Sequence, residues 1–502
     1  MRDKQRKEWL AAVTDRYARG AMDRRSFLGA AAKLGLSAGA VGLGFGVGGR
    51  RPFSPVSPAL AQGALQPSAE MTKWLRDVGR PFAGKTIRLA TESTPPSTAI
   101  ATSLKPFFEQ ATGIKVEIEV LPLEQVLQKL TLDVASSLGT YDLYYIDQSW
   151  AANFSRDVFD PREQLAAKKD LAYPDYNIGD FLPALVDGIA MYDGRMVGVP
   201  YDIPIFIMQY RKDVYDELKL KPPATMAEML SNAKAITDAK GPGLYGTTGQ
   251  MKSGHYSLEC DWTCWLWGHG GQIFTADKMF AGNTEAGLAA MEYWDKLKAT
   301  MPPGVSGWTW DGEGQSVSQG IAASMLSWGE FFPSLDDPKS GKVSGLMEAA
   351  VPPRATTLIK PDQTGFGEIP GVGHQGGSTL AVSRNAKNPD AAWVFMQWAT
   401  AADTQALITV LGGGTGPTRA SVYDDPRVLA NARVGAGTTR HLPVVRETIA
   451  KYMGSEPDLP EWTEISSDTI PVALGRYFAG EYKRPKDALD EIAGKVNKML
   501  LL

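Results

Sequence analysis

Between residues 114 and 120 the chain reads IKVEIEV, with Ile114, Val116, Ile118 and Val120 alternating with charged residues. That period of two predicts a strand with one covered face. In the following LEQVLQKLTLDVASSL, Leu123, Val126, Leu127, Leu130, Val134 and Leu138 recur at helical spacing. TIRLATE (86–92) and YDLYYID (141–147) read as strands, and SLKPFFEQATG (103–113) as a helix closed by Gly113. A short lead over 62–85 carries one further helix near Met71–Val78. Strand–helix–strand–helix–strand order predicts right-handed βαβ units, a mainly parallel sheet and an α/β fold. Such sheets hold ligands just beyond the carboxyl ends of their strands. Two loops fall there, Glu92-Ser93-Thr94 and Asp147-Gln148-Ser149-Trp150.

The segment CDWTCWLWGHGGQIF (260–274) concentrates three tryptophans and both cysteines. Read as a helix, Leu258, Trp262, Trp265, Leu266 and His269 form one stripe, and Cys260, Cys264 and Trp267 a second. A helix apolar on two stripes is predicted to be buried, which makes most of these tryptophans core. Cysteines four apart on a helix have β-carbons about 5–6 Å apart, wider than the roughly 3.5–4.5 Å of a disulfide. An oxidising compartment favours the bridge, so the pairing stays open. No CxxC is present, and the four histidines, at 255, 269, 374 and 441, are scattered. No metal site and no cofactor are expected.

The N-terminus alters the charge picture. Arg24–Arg25 and Phe27–Leu28 precede an uncharged run from Leu34 to Gly49, followed by Ala59-Leu60-Ala61. The run is too short and glycine-rich to span a bilayer, and the arrangement resembles a twin-arginine export signal over 1–61, cleaved near Ala61. Residues 1–61 hold eleven Lys/Arg and four Asp/Glu of the chain's 52 and 56, leaving 41 basic and 52 acidic residues and a net charge of −11. That balance argues against a nucleic-acid partner and against anionic lipid. GLGFGVGG (42–49) imitates a dinucleotide fingerprint but follows no strand.

From residue 194 the chain reads GRMVGVPYDIPIFIMQYRKDVYDELKLKPPATMAEML, in which VPYD precedes a strand, Tyr210-Arg211-Lys212-Asp213 opens a helix, and Thr225 follows Pro222-Pro223. GHGGQIF (268–274), VSQGIAASMLSWGEFF (317–332), GGSTLAVSRNAKNPDAAWVFMQWAT (376–400) and GTGPTRASVYDDPRV (414–428) follow. FAGEYKRPKDALDEIAGKVNKML closes the chain. In order and spacing these blocks resemble family 1 extracellular solute-binding proteins, the maltose-binding-protein-like receptors of ABC importers, over about residues 86–502. Asn388-Pro389 suits a helix start. LGGGTGPT (411–418) suits a crossing between lobes and lacks the lysine of a phosphate loop.

The resemblance implies the two-lobed type II periplasmic-binding-protein fold, with discontinuous lobes and a hinged cleft. Lobe 1 would comprise 86–200 and 352–411 and lobe 2 205–350 and 417–502, with crossings near 201–206, 345–352 and 412–418. It implies a monomeric periplasmic receptor, not an enzyme, that delivers a small carbohydrate or polyol to the permease subunits of an importer. Carried over residue by residue, its ligand contacts would come from Glu92, Asp147, Gln148 and Trp150, from Tyr201 and Asp202 at a crossing, and from His255, Tyr256 and Glu259 at a helix entry. Trp328 and Glu330 would stack a sugar face and bond a hydroxyl, while Gly376, Gly377 and Ser378 would let backbone amides approach. Trp310, Arg419 and Trp462 are further candidates. Carboxylates in this number suit a polyamine, opine or other small solute as well as a neutral sugar. An exported carbohydrate-active enzyme, with Glu92 and Asp147 as its carboxylate pair, is the rival reading.

Overall fold

The computed structural model describes residues 65–354, 372–412 and 414–501. The expected signal and its cleavage site at Ala61 lie outside these residues. The lead forms a helix over Ala69–Gly79, capped by Ser68 Oγ, which accepts from the Met71 amide at 3.1 Å.

Strands β1 (Thr86–Glu92), β2 (Lys115–Leu121) and β3 (Leu143–Asp147) follow the expected alternation with helices Lys105–Thr112 and Leu123–Ser136. The second helix ends two residues early. Ser137 enters the left-handed region at φ 55°, so Leu138, counted in the apolar stripe, is exposed instead. Strand β4 (Val199–Asp202) completes this first sheet, whereas β5 (Phe206–Arg211), β6 (Ser324–Trp328) and β7 (Met347–Ala350) build a second. Strand β8 (Ser378–Val382) returns to the first sheet, whose order is β2-β1-β3-β8-β4. β1 runs parallel to β2 and β3, while β8 lies antiparallel to both β3 and β4. In the second sheet β5 is central and antiparallel to β6 and β7. The result is a two-lobed α/β fold.

The chain leaves the first sheet at Asp202 and enters the second at Phe206. Met347–Ala350, inside the expected 345–352 crossing, is a strand of the second sheet, and Thr225 and Arg354 form a bridge beside it. Apolar length in that stretch cannot tell a strand from a linker; the pairing partner 208–211 decides it.

Local chemistry explains most element ends. Thr225 and Glu228 form a reciprocal capping box at the start of helix Met226–Lys240. Asn388 departs from its expected role: its side chain makes no cap and instead donates from Nδ2 to the Thr86 carbonyl at 2.9 Å, tying helix Pro389–Thr400 to β1. Behind the passage, Ile203, Ile205 and Ile207 pack with Val422, Leu442, Val445 and Ile449 in a cluster separate from the main core. The crossing strand therefore has an apolar backing of its own. No helix among the described residues is long and apolar enough to cross a membrane.

Candidate functional site

The register of β8 builds one wall of a cleft. Ser378 pairs with Asp147 on one side and with Asp202 on the other, so two strand ends deliver carboxylates to the same edge. Glu92 ends the neighbouring β1 and accepts from the Tyr145 hydroxyl at 2.8 Å. Asp147 caps the turn that follows it, accepting from the Ser149 amide at 2.9 Å and the Ser149 hydroxyl at 2.5 Å. The second lobe contributes Trp328 and Glu330 at the end of β6, Trp310 at a helix start, and Tyr256 in the first turn of helix Tyr256–Gly268. Together with Ser93, Thr94, Leu123, Pro204 and Gly376, these residues line a cavity of about 570 Å³, part of it open to solvent.

Burial governs the electrostatics. It pushes the Glu92 carboxyl well above the ordinary range, against the opposing hydrogen bond from Tyr145. It pushes Asp147 up to about 7. Asp202 and Glu330 are both raised by burial, and the proximity of Asp202 raises Glu330 further. The Thr415 hydroxyl donates to Glu330 Oε1 at 2.7 Å. Neither oxygen of the fully buried Asp202 has a hydrogen-bond partner within strict geometry, although Thr94 and Glu330 face it.

Of the residues expected in the site, Glu92, Asp147, Tyr256, Trp310, Trp328, Glu330 and Gly376 line the cavity. Asp202 does not line the cavity but interacts with Glu330. Gln148 is buried, donating from Nε2 to the Tyr256 hydroxyl at 3.1 Å and to the Gln375 carbonyl at 3.2 Å. His255 caps its helix through Nδ1, lies 3.4 Å from Glu124 across the cleft, and holds its ring edge-on to Trp310. Trp150 and Tyr201 are buried in the first-lobe core, against Phe154 and Tyr145.

The remaining placements correct the sequence reading. Arg419 is fully buried away from the cavity. It donates to the Thr400 and Asn177 carbonyls and lies 4.0 Å over the Phe181 ring, so it holds the lobe together. The Gly376 amide donates to the Pro204 carbonyl at 2.8 Å and the Gly377 amide to Gln375 Oε1 at 2.8 Å, so neither faces a ligand. Glycine at 376 serves space instead, because a Cβ there would meet the Trp328 ring at 2.8 Å. Trp328 is no free ring on a strand end; it packs edge-on against Phe206 with centroids 4.3 Å apart. Leu123, Pro204 and Phe331 escaped the sequence reading, since apolar lining residues look like core in one dimension.

The helix of the tryptophan-rich segment is core: every residue of Tyr256–Gly268 is buried. Both cysteines are free, and the Cys264 thiol points at the Val372 carbonyl 2.9 Å away. Glu259 does not line the cavity either. It joins Cys260, His374 and Glu456 in a buried cluster whose donor atoms lie within 4.8 Å of one another. Spacing alone could not reveal this grouping. Hydrogen bonds already occupy Glu456, from the Tyr256 hydroxyl at 2.7 Å, His374 Nε2 at 2.8 Å and Trp462 Nε1 at 2.5 Å. Burial and Glu456 raise Glu259, whose proton then lowers the charge of the set without an ion.

Residues 104–436 match the family model described as bacterial extracellular solute-binding protein. A Sinorhizobium fredii protein named as a probable amino-acid ABC transporter periplasmic-binding protein is 24% identical over 84% of this chain and 90% of its own length. The mannitol-binding protein of Pseudomonas aeruginosa is 24% identical over 75% of this chain and 81% of its own. The crystal structure of an ABC transporter solute-binding protein from Agrobacterium radiobacter in complex with ribitol superposes with a TM-score of 0.72, at 26% identity, covering 83% of this chain and 99% of that one.

Proposed function

From the chain's membership of the bacterial extracellular solute-binding proteins, a family of ABC-transporter receptors, we propose that its cleft captures a small polyhydroxylated solute, a polyol or a short sugar, and passes it to importer subunits unchanged. The observation that carries this reading is the composition of the 570 Å³ cavity: Trp328, Trp310 and Tyr256 offer apolar planes, while Glu92, Asp147 and Glu330 offer carboxyl groups. Aromatic faces cover C–H surfaces, and carboxylates accept hydrogen bonds from hydroxyls. The mannitol and ribitol named for two relatives are solutes of this kind.

We place the first lobe at 86–202 with 378–412 and the second at 206–354 with the C-terminal helices, the 418–424 stretch packing on the first lobe. The mature protein works as a periplasmic monomer released from the 1–61 signal. Thermal-shift screening of mature protein against alditols, monosaccharides and disaccharides tests the reading. At least one should raise the melting temperature and be recovered intact. Binding by none of them refutes the ligand class, and time-dependent cleavage refutes the receptor role.

A further inference from the structure

Some buried or half-buried carboxylates of this protein meet a cation, while others, such as Asp261 with Gln250 and Glu313 with Ser327, have neutral partners. Asp336 pairs with Arg440 at 2.6 Å, Asp403 with Arg427 at 2.7 Å, Asp160 with Arg162 at 2.6 Å, and Glu456 with His374 at 2.8 Å. The cleft gathers several carboxyls of the second kind around one cavity. Glu92, Asp147 and Glu330 line it, Asp202 interacts with Glu330, and no Lys, Arg or His is among the lining residues. Their hydrogen-bond partners are neutral: the Tyr145 hydroxyl for Glu92, the Ser149 amide and hydroxyl for Asp147, and the Thr415 hydroxyl for Glu330. Asp202 has no strict hydrogen-bond partner on either oxygen although it is fully buried. Arg419 is committed to Asn177, Thr400 and Asp180, and His255, at the rim, faces Glu124.

A buried carboxylate without a counter-charge is costly unless it takes a proton or a cation. We propose that the missing counter-charge arrives with the solute: the ligand carries a protonated amine on a polyhydroxylated frame, an amino polyol or amino sugar, with the ammonium held by the three carboxyl groups that line the cavity, Glu92, Asp147 and Glu330. Three ammonium hydrogens suit three carboxylates, and the aromatic residues cover the carbon frame. A mature chain of net negative charge also draws a cation toward the cleft.

This inference rests on the solute-receptor reading above, and matched pairs separate the two. Calorimetric titration of the mature protein would compare ribitol with ribitylamine, glucitol with glucamine, and glucose with glucosamine. On a frame that binds, the amino member should bind about tenfold tighter or more, the scale of one added charge-assisted hydrogen bond. Binding of the neutral member alone, or equal binding, overturns the amine while leaving the polyol receptor intact. Failure of every amino member also overturns it, as does stronger stabilisation by Ca²⁺ or Mg²⁺ than by any amino member. Glu330→Gln should erase the preference, so that both members bind alike. If its melting curve shows that Glu330→Gln does not fold, Glu92→Gln carries the same test. A preference kept in the folded variant removes the ammonium from these carboxylates.

Discussion

Gln148 of the first lobe donates from Nε2 to the hydroxyl of Tyr256 on the second, at 3.1 Å, and that hydroxyl in turn donates to Glu456 at 2.7 Å. One phenol thus ties the two walls of the cleft together and helps satisfy a buried carboxylate. Tyr256→Phe should lower stability by about 1–3 kcal/mol, the cost of leaving buried polar groups short of a partner. The ligand-free protein should also become more extended in small-angle scattering. Unchanged urea midpoint and unchanged scattering together would show that the link bears no load.

Trp328 has two roles, and its mutation should show both. It lines the cavity and packs edge-on to Phe206. Trp328→Ala should weaken ligand binding roughly ten- to a hundredfold, from about 1.5–3 kcal/mol of lost apolar contact. It should also cost about 3–5 kcal/mol of stability. Trp265→Ala, buried against Tyr293, should cost similar stability while the folded fraction keeps its affinity. Equal affinity loss in both variants would dissociate Trp328 from the ligand.

Gly376→Ala is the smallest probe of the cleft. The added methyl would meet the Trp328 ring at 2.8 Å, and overpacking of this kind costs about 1–3 kcal/mol. Affinity should fall because the ring must turn. Trp328→Ala/Gly376→Ala should show no further loss from the methyl, and a double-mutant cycle in binding measures it.

Burial pushes Asp147 up to about 7 in the folded protein, against an ordinary 3.8. The folded state then holds a proton that the unfolded state releases between those values, so stability falls as pH rises from about 4 to about 7. The raised carboxyls of Glu92, Asp202 and Glu330 act in the same direction. The ligand-free protein should melt higher at pH 5 than at pH 8, and Asp147→Asn should reduce that difference. An equal or larger difference in Asp147→Asn would place the titration elsewhere.

Arg419 supports the lobe without lining the cleft. Arg419→Ala leaves the Asn177 and Thr400 carbonyls without their donor and Asp180 without its 3.6 Å partner. Loss of a buried charged partner should cost about 3–5 kcal/mol, with ligand affinity retained in the folded fraction. Selective loss of affinity would return this residue to the site.

By itself the sequence determined what depends on neighbours in the chain. Alternation at Ile114, Val116 and Ile118 specified β2, and Thr225 with Glu228 specified a helix start, because strand faces and caps are set within a few residues. Two apolar stripes made 256–268 a core helix, and the strand order brought Glu92 and Asp147 to a ligand-bearing edge. Only tertiary structure decided the rest. His374 and Glu456 meet across 82 residues, Met347–Ala350 became a strand because β5 offered it an edge, and Arg419 turned inward onto Phe181. The amide of Gly376, free in any local reading, was claimed by Pro204. Each of these outcomes turns on which distant surface packs against a residue, and chain-local spacing carries no term for that contact.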